Sequence, residues 1–95
     1  MKRNTILKRL DTIAETTGMQ AILAGIKTNL EIIDGIHATT ESHPYTAALV
    51  NPRVLRNNLE DGIAMEIAIL NGLAPKELAL DEIHQDLVRD LVRNT

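Results

Sequence analysis

Apolar residues recur along the chain at the three- and four-residue spacing of helices. The first such segment runs from about Asn4 to Thr17. Ile6, Leu7, Leu10, Ile13 and Ala14 share one face, Lys8, Arg9, Asp11 and Glu15 share the other, and Gly18 closes it. The second covers about Met19 to His37. At 100° per residue, Ile22, Leu23, Ile26, Leu30 and Ile33 form one stripe. Small residues form another: Ala21, Gly25, Thr28 and Gly35, with Ile32 between them. An interior glycine costs a helix about 1 kcal/mol relative to alanine, so Gly25 is expected to admit a close neighbour.

Ala38 to Asn51 reads as a polar connection in which Ser42-His43-Pro44 starts a short helical turn through Leu49. Asn51-Pro52 repeats that start signal for a third helix, predicted to run to about Leu70 and to stop at Asn71-Gly72. Pro75 opens a fourth, continuing to about Arg93 with Ile83, Leu87, Val88 and Leu91 on its stripe.

The third helix differs from the others. Leu55, Leu59, Ile63, Ile67 and Leu70 form one apolar face; Val54, Gly62, Met65 and Ile69 form a second nearly opposite, with Ala64 and Ala68 between. The polar strip narrows to Arg53, Asn57, Glu60 and Asp61. A helix apolar most of the way round is normally covered on all sides. In so short a chain, the simplest cover is a neighbouring subunit.

Ninety-five residues make one domain, spanning 1–95. Tyr45 is the only aromatic, so Ile, Leu, Val, Met and Ala must build the interior, which favours helix-on-helix packing. The expected fold is all-α: a small bundle of four main helices plus a short connecting helix, assembled as a homo-oligomer. Without cysteine the chain has no disulfide scaffold, thiolate chemistry or thiolate zinc site. No apolar run approaches the ~20 residues of a membrane span, and no secretory signal is evident, so a cytoplasmic location is expected. The net charge of −3 argues against wholesale nucleic-acid binding.

Three polar residues interrupt apolar stripes: Asn29, Glu66 and His84. Antiparallel third and fourth helices would bring His84 within about a turn of Glu66. One reading is a buried polar network that fixes helix register; the others are a functional acid–base pair or a solvated rim. No metal or cofactor is expected, because the metal-binding and phosphate-loop patterns are missing. Glu31-Ile-Ile-Asp34 gives only half of a paired acidic magnesium motif, and otherwise reads as solvated surface.

Arg53, Arg56 and Asn57 open the third helix, where the dipole favours anions and disfavours cations. With His43 and Tyr45 on the preceding loop, and Lys27 and Thr28 approaching from another subunit, they form a candidate anion site. The alternative is that the arginines pair with Glu60 or Asp86. Ala68-Ile-Leu-Asn-Gly72-Leu73 has helix-turn-helix spacing, but Glu77, Asp81, Glu82 and Asp86 on the next helix would repel phosphates, so DNA reading is disfavoured. Lys2, Arg3, Lys8 and Arg9 read as a solvated basic face.

Leu59-Glu60-Asp61-Gly62-Ile63-Ala64-Met65, after a His43-Pro44 turn, resembles a hairpin of small phage proteins that sequester cyclic-nucleotide defence signals. The resemblance covers the middle half of the chain and departs from the family's aromatic positions at Met65, Glu66 and Ile67. It implies an oligomeric helical fold without catalysis, with ligands held between protomers; no ligand contact carries over.

The leading expectation is a non-enzymatic interaction protein. It would act as an inhibitor or adaptor, from a phage or other mobile element, by occupying a macromolecular partner. The alternatives are a binder of a phosphorylated small molecule such as a cyclic nucleotide, and a metal-dependent hydrolase using Glu66 and His84.

Overall fold

A computed structural model describes residues 2–42, 52–75 and 84–93. All regular structure among them is helical: α1 (Arg3–Thr17), α2 (Gln20–Ser42), α3 (Pro52–Leu73) and α4 (His84–Val92). The expected short turn before Leu49, with His43 and Tyr45, and the first part of the expected fourth helix lie outside the described residues.

α1 ends where the sequence indicates. Gly18 adopts the left-handed conformation at φ 72°, and the Met19 N–H donates to the Ala14 carbonyl at 3.0 Å. That reversal satisfies a terminal carbonyl which a side chain with a Cβ would reach only with strain. The other two expected stops are corrected. α2 continues past His37 to Ser42, since no glycine or proline interrupts the chain before Pro44. α3 runs through Asn71-Gly72 to Leu73, and the Ala74 N–H still bonds the Leu70 carbonyl at 3.0 Å. Glycine ends a helix when it turns left-handed, and among the described residues only Gly18 has positive φ.

Four apolar stripes meet in one core. α1 contributes Ile6, Leu10, Ile13 and Ala14; α2 contributes Leu23, Ile26, Leu30 and Ile33. Ile63, Ile67 and Leu70 come from α3, and Leu87, Val88, Leu91 and Val92 from α4. Leu55, expected on the buried face of α3, is instead exposed. Each stripe keeps helical spacing, so each helix turns one side inward.

Arg3 is buried, which corrects its reading as part of a solvated basic face. It stands three residues before Ile6 on the stripe that continues through Leu10 and Ile13. Its Nε donates to the Leu91 carbonyl and its Nη2 to the Val92 carbonyl. Nη1 and Nη2 grip the Asp34 carboxylate at 2.8 and 3.0 Å. One guanidinium thus satisfies terminal carbonyls of α4, places positive charge at the negative end of its dipole, and ties it to α1 and α2. Asp34 is accordingly not simple solvated surface; Glu31 is exposed.

Candidate interaction surface

The α2–α3 pairing sets the geometry of the surface. Asn29 Nδ2 donates to Glu66 Oε1 at 2.8 Å. The other carboxylate oxygen of Glu66 lies over Gly25, in the space a Cβ would need. The Asn29 amide in turn lies over Gly62. Further along, His37 meets Arg56. As residue numbers rise on α2 they fall on α3, so the helices are antiparallel, with Gly25 and Gly62 each lying under a side chain of the other helix.

Burial pushes the Glu66 carboxyl above its ordinary range, and the Asn29 hydrogen bond offsets part of that rise. The Asp34 carboxyl is held below its ordinary range by the hydrogen bond from Arg3, with partial burial opposing and the charges of Arg3 and His37 assisting. Of the expected polar network, Asn29 and Glu66 are therefore in direct contact. His84 opens α4, but its side chain lies outside the described residues.

The described candidate anion-site residues do not converge within the chain. Arg53 and Asn57 are exposed. Arg56 Nε lies 3.4 Å from Glu60 Oε1, in ion-pair range but without hydrogen-bond geometry. Arg56 Nη1 approaches His37 Nε2 at 3.3 Å, a contact that becomes a hydrogen bond only when the ring is neutral with Nε2 unprotonated, since guanidinium offers only donors. Lys27 pairs with Asp11 on α1 at 3.4 Å, and Thr28 is exposed on α2.

Beside Arg56 lies a cleft of about 920 Å³ between α2, α3 and α4. Asp34, Glu60 and Asp61 face Arg56, Arg89 and Arg93 around it. Alternating signs cancel at a distance, so this lining does not focus the field that would draw in a phosphate. Among the described residues, no group of three or more His, Asp or Glu side chains is placed to hold a metal ion. No described helix is long and apolar enough to cross a membrane.

The outer side of the α2–α3 pair has a different character. Met65 is 67 % exposed, and Ile69, Leu73 and Ile32 each expose nearly half of their surface. Ala68 and Gly72 on α3, and Ala21, Ala24, Thr28 and Gly35 on α2, are exposed beside them. A Cβ built on Gly35 or Gly72 would meet nothing within 4 Å. Gly25 and Gly62 lie in the α2–α3 contact; the rest of the small-residue stripe of α2, with Met65 and Ile69 of the second apolar face of α3, is exposed on the side away from the core.

No protein-family profile, curated protein or solved structure matches the chain.

Arg3 is what sequence reasoning missed. The signal was its position on the stripe of Ile6, Leu10 and Ile13, which a count of basic residues along the N-terminal segment hides.

Proposed function

We propose that this chain is a non-enzymatic interaction protein that docks the outer face of the α2–α3 pair on an apolar surface of another macromolecule. The exposure of Met65 together with Ile69, Leu73 and Ile32 carries the reading. Exposed apolar residues scattered singly need no explanation, whereas a contiguous patch marks a binding surface. Fully burying one such side chain is worth about 1.5–3 kcal/mol. With roughly half of each already covered, docking these four would yield about 4 kcal/mol. That suits a reversible inhibitor or adaptor whose partner supplies further contacts, and self-association through the same face belongs to this reading.

Binding of a phosphorylated small molecule has weaker support, because Arg56 is engaged with Glu60 and His37 and the adjoining cleft carries as many acids as arginines. A hydrolase built on Glu66 gains no support from a carboxylate that leans on Gly25 and accepts from Asn29.

The test is co-purification from cells that carry the protein, comparing the native chain with Met65→Glu and, as a control on the opposite side, Glu15→Lys. The proposal expects one partner to be retained by the native chain and the control and lost by Met65→Glu. Equal retention by all three would refute it.

A further inference from the structure

The shape of the outer face indicates what fits it. Large side chains stand on α3, at Met65, Ile69 and Leu73, while the exposed face of α2 carries Ala21, Ala24, Thr28 and Gly35 and one large side chain, Ile32. The antiparallel register puts Thr28 level with Met65, Ala24 level with Ile69 and Ala21 level with Gly72. We infer that the occupant of this face is a second copy of the chain, related by a two-fold axis parallel to α2 and α3, so that α3 of each copy lies on α2 of the other. This deepens the interaction reading and rests on it.

Two observations support the arrangement. A two-fold interface must contain both members of every contact, and this face sets Met65 and Ile69 of α3 at the levels of Thr28 and Ala24 of α2. Turning the axis at right angles to the helices would set α3 against α3 and α2 against α2, crowding Met65 and Ile69 together and leaving alanine and glycine opposite alanine and glycine. Size also fits. At 1.5 Å per residue and about 10 Å per helix width, two helices of 22–23 residues present about 34 by 20 Å. That approaches the ~800 Å² each partner contributes to a stable interface.

The absence of native cysteine makes the arrangement directly testable. Two single-cysteine chains, Thr28→Cys and Met65→Cys, carrying tags of different mass, are mixed, exchanged and oxidised. Each chain has one thiol, so every disulfide joins two chains. The two-fold arrangement expects the mixed dimer to exceed either like-with-like dimer several-fold, and Ile69→Glu in the Met65→Cys chain to remove the excess. A far-ultraviolet spectrum of each variant checks folding; if Ile69→Glu unfolds the chain, Ala24→Arg in the Thr28→Cys chain takes its place. Predominance of the Met65→Cys homodimer, or no excess of the mixed dimer, overturns the arrangement. A chain that forms no dimer yet loses a co-purified partner on Met65→Glu removes the second copy as occupant and leaves the interaction surface standing.

Discussion

Replacing Gly25 by alanine tests the packing of Glu66 over that glycine. In an exposed helix the change stabilises by about 1 kcal/mol through backbone propensity. Here the new methyl would occupy the space held by a Glu66 carboxylate oxygen. The flexible carboxylate can swing aside, but only by breaking its bond with Asn29. A hydrogen bond to a charged group contributes about 1.5–3 kcal/mol; Glu66 is partly exposed, so the lower end applies. Escape to water also relieves the desolvation that raises its carboxyl. The loss thus comes to about 1–1.5 kcal/mol, enough to cancel the propensity gain. Gly25→Ala alone should therefore leave stability nearly unchanged or slightly reduced. In a Glu66→Ala background nothing opposes the methyl, and the same substitution should stabilise by about 1 kcal/mol. Urea denaturation of the four proteins gives the coupling directly, with an expected value of about 1–1.5 kcal/mol. Equal stabilisation by Gly25→Ala in both backgrounds would refute the packing of Glu66 against Gly25.

Arg3→Met should reduce stability by about 2–3 kcal/mol, because it strands the terminal carbonyls of α4 and leaves Asp34 without its partner; hydrogen exchange should accelerate in α4 before it does in α2, and an unchanged α4 would contradict the clamp. That deficit should depend on acidity. The Asp34 carboxyl is lowered in the fold, so its contribution is present above its ordinary value of 3.8 and is lost as pH falls through the lower folded value, where native and Arg3→Met stabilities should draw closer. Glu66 has the opposite sign: its folded value is raised, so the penalty is absent below its ordinary 4.5 and develops as pH rises through the folded value. Glu66→Gln, which keeps an acceptor for Asn29, should therefore stabilise the protein at neutral pH and lose that advantage in acid; the same gain at every pH would exclude ionisation as the cause.

The helical class was legible because each core stripe repeats at helical spacing, and the buried residues from Ile6 to Leu91 lie on those stripes, although Leu55, read on the inner stripe of α3, is exposed. The second face of α3 was legible for the same reason: Met65 and Ile69 stand away from Ile63 and Ile67 on the helical wheel. Helix ends were less so. Gly18 and Gly72 look alike in sequence, yet only Gly18 turns left-handed, a choice made by how the chain is carried onward. Contacts between distant residues were the least legible. Arg3 and Asp34 each resemble surface residues when counted along their own helices, and their pairing follows from where α4 ends in space. Gly25 gave a clearer signal, because a glycine inside a long helix implies close approach, although not that Glu66 makes it.

Sedimentation velocity of the native chain from low to high micromolar concentration, alongside Met65→Glu, tests most directly whether the outer face of α2 and α3 is built to be covered. The native chain should shift towards a dimer as concentration rises, while the folded Met65→Glu variant stays at monomer mass throughout. A native chain that remains a folded monomer at every concentration, with mass and shape matching the variant, would contradict closure of that face by a second copy.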